Sequence, residues 1–207
     1  VSIIAFDNGK EQQRRLDGVS VNEINADLTS GIDATRARSL RENAGVYVRS
    51  PEKGAKFEIE WNEAAALLSQ PNPNGRPNAD VLRPWINGES LIKFRSGQWI
   101  VDFPNDLTEA DASAYEGPFA AARSGVLPTE RPKRLAKARE KWWVFRRSGD
   151  GVRMAAASLP RLLATTMVAK HRIFTWLSSE IQPDKTIPVF ARSDDYFFGV
   201  LHSAVHE

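Results

Sequence analysis

The stretch NPNGRPNADVLRPWINGESLIKFRSGQWIVDFP, residues 72–104, decides how the rest of the chain is read. It carries four Asn, four basic side chains and two Trp, with Pro at 73, 77, 84 and 104. Asn, Pro and Gly are the residues that tight turns require. The first part therefore reads as a rigid basic loop. The last part alternates Trp99, Val101 and Phe103, the period of a half-buried strand. A basic loop held in register by a strand suits contact with an anionic partner. Arg76, Arg83, Lys93 and Arg95 are candidates for phosphates or guanine edges. Asn74, Asn78 and Asn87 are candidates for paired hydrogen bonds to adenine. Turn formation is the competing explanation for each Asn.

The 207 residues and 42% hydrophobic content allow one large globular domain or two small ones. No apolar run approaches the length that crosses a bilayer. Nor does the opening VSIIAFDNGK have the basic and apolar regions of a signal peptide. The absence of Cys excludes disulfides and thiolate metal sites, and fits a cytoplasmic protein. Val1 opens directly into a strand-like run, so the expectation is one domain, residues 1–207, excised from a longer chain. Charge is uneven along it. Residues 1–130 hold 14 Lys/Arg against 19 Asp/Glu, whereas residues 131–207 hold 14 against 7. This asymmetry points to a polyanion partner for the second part.

The spacing predicts strands over 2–6, 19–28, 45–48, 57–60, 172–177, 187–191 and 196–201, with Pro188 placing the 187–191 strand at a sheet edge. Asp7-Asn8-Gly9-Lys10 is a hairpin signal. Helices are predicted from Asn62 to Ser69, from Thr108 to about Gly125 and from Thr129 to about Trp142. A short one is expected within 154–163, and 36–43 is a further candidate. Thr108-Glu109-Ala110-Asp111 resembles a capping box with Asp in the fourth place. Strands and helices intersperse without a regular βαβ rhythm, so the fold class is α+β with mainly antiparallel sheet.

In the 129–142 helix, Lys133, Lys137 and Lys141 recur at four-residue spacing, joined by Arg134 and followed by Arg146 and Arg147. Glu140 is the one acid between Arg131 and Arg147. Such a one-sign stripe fits phosphate contact, and a solvated helix face is the plainer alternative. Lys170 and Arg172 extend the basic set. The aromatics of 142–145 and 174–176 read as core. His202 and His206 lack the Glu and third ligand of a zinc motif. Asp194 and Asp195 suit a turn better than a metal site, and no Gly-rich phosphate loop or nucleophile elbow is present. A small metal-dependent nuclease using Asp194, Asp195 and a His is one alternative. A protein-interaction module with a basic docking helix is another.

The 72–103 segment resembles a stretch of MmeI-like enzymes, single-chain type II restriction–modification proteins that join nuclease, adenine methyltransferase and target-recognition parts. A looser form marks TaqI-like methyltransferases: basic residue and Pro, then Gly and an acid, then basic-aromatic-basic. Here these are Arg83-Pro84, Gly88-Glu89 and Lys93-Phe94-Arg95. MVAKHRIFTWL (167–177), ARSDDYFFGVLHSAVHE (191–207) and, more weakly, KWWVFRR (141–147) are similar to other parts of that region. The resemblance runs from Ile3 to Glu207. It implies a double-stranded DNA target-recognition domain that packs beside a methyltransferase domain of the same parent chain. The parent would methylate adenine N6 with S-adenosylmethionine. The family's Asn-Pro-Pro-aromatic motif is absent, since Asn72-Pro73-Asn74-Gly75 lacks the second Pro and the aromatic. The Gly-containing cofactor loop is absent too. The expectation is therefore a DNA-recognition chain with no catalytic residue, metal or cofactor of its own. Its expected DNA-binding residues are Arg76, Asn78, Arg83, Lys93, Arg95, Arg134, Lys137, Arg146, Arg147, Lys170 and Arg172.

Overall fold

The structure, a computed structural model, describes residues 8–10, 12–93, 97–127 and 141–204. The predicted 2–6 strand and nearly all of the predicted 129–142 helix lie outside the described residues, as do Arg95, Arg134, Lys137 and His206.

The chain divides into two compact units, Val1–Ala44 and Gly45–Glu207. In the first, β1 (Arg14–Leu16) pairs antiparallel with β2 (Val19–Val21). Asp17 (φ 50°) and Gly18 (φ 81°) make the turn. Both positions need positive φ, and an Asp-Gly pair supplies it at low steric cost. The strand predicted over 19–28 stops at Val21. Beyond it, Asn25 Nδ2 donates to Thr29 Oγ1 and to the Gly31 carbonyl, so side-chain bonds replace a ladder. Single 3-10 turns at Ala34–Arg36 and Arg41–Asn43 stand where a helix was predicted.

The second unit runs β3 (Tyr47–Val48), β4 (Glu58–Glu60), α1 (Trp61–Leu68), β5 (Leu82–Ile86), α2 (Gly88–Lys93), β6 (Gln98–Val101). It continues α3 (Glu109–Ser113), α4 (Glu116–Val126), α5 (Asp150–Ser158), β7 (Arg161–Thr165), β8 (Phe174–Ser178), β9 (Gln182–Pro183), β10 (Val189–Phe190) and α6 (Asp195–Leu201). These strands form two four-stranded sheets, ordered β3-β10-β7-β8 and β4-β6-β5-β9. Every pair is antiparallel except β5 with β9. The α+β class, antiparallel in the main, is the architecture observed.

One core packs Phe57, Ile59, Leu82, Trp85, Ile100, Val101 and Phe103 against α1, α3 and α4, with Trp143 and Phe145 closing it. A second gathers Val152, Leu162, Ala164, Leu177, Ile187 and Val189 around α5 and the other sheet. The aromatics Trp143, Phe145 and Phe174 are buried as expected. Thr108 caps α3, its hydroxyl accepting from the Asp111 N–H at 3.1 Å. The helix predicted from there breaks into two at Ala114–Tyr115.

Several expectations are corrected. The 72–104 stretch is not a loop feeding one strand, because Arg83-Pro84 lies inside β5, in the middle of a sheet. Pro84 is tolerated there because β6 pairs Leu82–Pro84 whereas β9 takes over at Trp85. The alternation around β6 is not one-sided: Ile100 and Asp102 are each 1% exposed, as enclosed as Val101 and Phe103. Pro188 does not mark an edge. It stops just before β10, an interior strand, and its carbonyl accepts from the Thr165 N–H at 3.1 Å. The predicted strand over 196–201 is the helix α6, whose aromatic composition mimics a strand. The Asp194 carboxylate caps it by accepting from the Phe197 N–H at 2.8 Å. The short helix expected within 154–163 is the end of α5, and the segment's last residues begin β7, whose Leu162, Leu163 and Ala164 are all fully buried and carry no period-2 signal.

Candidate nucleic-acid interface

The predicted basic residues separate into three settings. Around 72–80, side chains serve the turn. Asn78 is 0% exposed and its Nδ2 donates to the Leu67 carbonyl at 2.7 Å, closing the end of α1. Its Oδ1 accepts from Asn72 Nδ2 at 2.6 Å. A side chain so enclosed cannot reach a base, so Asn78 leaves the set of candidate contacts. Asn74 accepts from the Arg76 N–H at 3.0 Å, and Asn87 accepts from the Ser90 N–H at 2.8 Å. Arg76 is exposed, and the Tyr115 hydroxyl, with Asp80 and Asp111 near, favours its charged form. On α2, Lys93 pairs with Glu89 at 2.6 Å.

A second setting is internal. Asp102 is enclosed and its Oδ1 is held by Arg153 Nη2. Arg153 Nη1 lies 2.8 Å from Asp150. Burial pushes the Asp102 carboxyl up, and the charges of Arg153 and Arg83 oppose that. Arg83, half-buried on β5, contributes that charge without a hydrogen bond to the acid: among the described residues neither its Nε nor Asp102 Oδ2 has a hydrogen-bond partner.

The third setting faces outward. Glu52 and Arg147 form an isolated antiparallel bridge, exchanging N–H···O bonds of 3.1 Å in both directions. The next residue outward, Arg146, donates its N–H to the Lys53 carbonyl at 3.2 Å. Gly54, at φ +80°, allows this approach, since a Cβ there would sit 2.8 Å from Arg146 Cβ. The bridge gathers three cations on one carboxylate. Arg147 Nη2 holds Glu52 Oε2, whereas Arg146 Nη1 and Lys185 Nζ lie 3.3 and 3.2 Å from Oε1. Lys185 and Arg147 keep the Glu52 carboxyl below its ordinary range. The cluster carries a surplus of two positive charges, and Arg146 and Lys185 keep 58% and 51% of their side chains exposed. Oriented, exposed cations in excess of acid can hold an anion with little rearrangement.

Beside it, a groove of about 670 Å³ runs between Asn87–Glu89, the 166–168 turn and the 184–186 turn, with Lys53 and Trp85 also lining it. Lys53 pairs with Glu58, and its Nζ stands 4.7 Å over the Trp85 ring. Burial pushes its ammonium down. Lys170 and Arg172 are exposed in the connection from β7 to β8. Of the predicted residues, then, Arg146 and Arg147 meet in one cluster and Lys170 and Arg172 share one loop. Lys185 and Lys53 were missed: Lys185 stands alone among its neighbours in sequence, and Glu52, which recruits it, is 133 positions away.

The acids read as a nuclease alternative are engaged with arginines. Arg192 Nε lies 2.7 Å from Asp194 and Arg161 Nη2 lies 2.7 Å from Asp195. Among the described residues, no group of three His, Asp or Glu converges on a metal position.

No family model matches the chain, and no curated protein does. Among solved structures, it is similar to the type IIL restriction–modification enzyme MmeI in complex with DNA, at 14% identity and a TM-score of 0.59. The match covers 91% of this chain and 25% of that one, so the chain spans about a quarter of the enzyme's length. At this identity the likeness is one of fold.

Proposed function

We propose that the chain is a target-recognition region for double-stranded DNA, belonging to a type II restriction–modification protein of the MmeI kind. The observation that carries this reading is the shared fold over 91% of the chain with an enzyme solved on DNA. The Glu52 cluster supports it by supplying exposed, oriented cations. In this reading the chain fixes register on the phosphates and reads base edges. A methyltransferase domain of the same parent chain methylates adenine N6 with S-adenosylmethionine, and this region contributes no catalytic group.

The test is fluorescence-anisotropy titration with a random duplex pool at two salt concentrations, followed by sequencing of the bound fraction. Enrichment of a short motif, with affinity falling by about 0.9 log units per log unit of salt for each phosphate contacted, is the expected result. Absence of binding at low salt overturns the reading.

A further inference from the structure

The connection from β7 to β8 presents two adjacent apolar side chains to solvent. Met167 is 65% exposed and Val168 is 87% exposed. Both line the groove with Trp85, Asn87 and Thr186. Exposed apolar residues scattered singly need no explanation. These two are consecutive, and they sit at the end of the longest strand pairing among the described residues, with five registered pairs from Arg161↔Ser178 to Thr165↔Phe174.

The tip is also tied down. The Met167 N–H donates to the Thr186 carbonyl at 2.9 Å. The Thr165 hydroxyl donates across the base of the loop to the Ile173 carbonyl at 2.5 Å, and the Thr166 hydroxyl reaches the Val168 carbonyl at 3.3 Å. These bonds anchor the backbone of the tip on the side of Thr165–Val168. Cations stand on both sides of it. Lys170 and Arg172 follow within the same loop, and Lys185 adjoins Thr186, the residue that anchors Met167. An apolar tip flanked by Lys170, Arg172 and Lys185 on its outer side, with the acids Glu89 and Asp184 lining the groove beneath, matches a polyanion whose interior is apolar.

We infer that the β7–β8 tip enters a groove of the duplex, where Met167 and Val168 press against base edges while Lys170 and Arg172 straddle the flanking phosphates. This inference rests on the proposed DNA-recognition function and assigns the readout to particular side chains. Apolar side chains read a duplex in two ways: by packing on a thymine methyl, or by wedging at a base step that unstacks easily. Each makes Met167 and Val168 determinants of sequence preference. Neither releases counterions, so these two residues leave the salt dependence unchanged.

That difference supplies the test. Met167→Ala/Val168→Ala and Lys170→Gln are made in the 207-residue chain. Both lie at exposed positions, where substitutions disturb stability little. Each is titrated against the duplex enriched by the wild-type chain and against the unselected pool, over a salt series. The apolar double variant is expected to lose about tenfold on the enriched duplex, from the methyl and methylene groups no longer buried. It should lose little on the pool and keep the wild-type salt slope. Lys170→Gln should weaken both duplexes alike and flatten the slope by about 1. The inference is overturned if the double variant still prefers the enriched duplex as the wild type does, which leaves the DNA-recognition reading intact and removes the tip from the readout. A wild-type chain that binds no duplex overturns both together.

Discussion

Arg153 at Asp102, and Arg146, Arg147 and Lys185 at Glu52, are cations gathered by one acid each, and they are put to opposite use. Around Asp102 the acid is enclosed and Arg153 keeps only 18% of its side chain exposed. Around Glu52 the acid is 16% exposed, yet Arg146 and Lys185 keep more than half of theirs. The first arrangement spends its cation on the cost of burying a carboxylate. The second uses one partly covered carboxylate to aim cations outward. Counting basic residues along the sequence cannot separate these uses. What separates them is how far the acid is buried.

The comparison predicts its own largest effect at Arg153. Arg153→Ala leaves the Asp102 charge buried with Arg83 as its remaining opposing cation, and breaking such a pair costs about 3–5 kcal/mol. Denaturant unfolding should show that loss. If the variant unfolds at the wild-type midpoint, Asp102 is not the buried charge described, and the contrast with Glu52 fails. Next comes Asn78→Ala, which removes the enclosed amide's bonds to the Leu67 carbonyl and the Asn72 amide, although Gln70 N–H still serves the first and the Arg76 carbonyl the second. Two lost hydrogen bonds cost roughly 1–3 kcal/mol together. The same variant should bind duplex with an unchanged salt slope while folded, because Asn78 faces the turn and not the solvent.

A smaller effect is tied to pH at α6. Arg192 and the Phe197 N–H hold the Asp194 carboxyl at about 2, below its ordinary 3.8. A depressed carboxyl stabilises the fold above its unfolded value and loses that contribution as pH falls through the folded one. The α6 cap should therefore open between about pH 4 and pH 2, followed as faster amide exchange at Phe197. Asp194→Asn should remove the pH dependence in that window. Exchange that is flat over the same range in the wild type would show that the cap does not titrate.

Much of the fold was legible because its signals are local. The Thr108 cap, the α1 segment ended before Pro71, and the buried aromatics at 143–145 all follow from neighbours a few residues apart. The misreadings have a common cause in partners distant in sequence. β7 is covered on both faces and shows no alternation. α6 looks like a strand until Asp194 is recognised as its cap, and β10 is interior because β3 arrives from 141 positions earlier in the chain, Val189 pairing with Val48. The site divides the same way. Arg146 and Arg147 were visible as a basic run, but Glu52, Lys53 and Lys185 become part of it only through the Glu52–Arg147 bridge. Asn78 carried the right chemistry for DNA but is enclosed, which no spacing in 72–104 reveals.

The smallest effect on stability is expected where the effect on binding is most informative. Arg146→Ala and Lys185→Ala each remove one exposed member of the Glu52 cluster, and exposed ion pairs contribute only about 0–1 kcal/mol. Both variants should unfold near the wild-type midpoint. If the cluster meets the phosphate backbone, each should lower duplex affinity alike on every sequence and flatten the salt slope by about 1. Arg83→Ala provides the contrast: it should cost stability through Asp102 and leave the slope unchanged. A reversal, with Arg83→Ala altering the slope and Arg146→Ala not, would mean that β5 and not the Glu52 cluster faces the duplex. The inward and outward cations would then have exchanged roles, and the orientation of the chain on DNA would have to be rebuilt around the β4-β6-β5-β9 sheet.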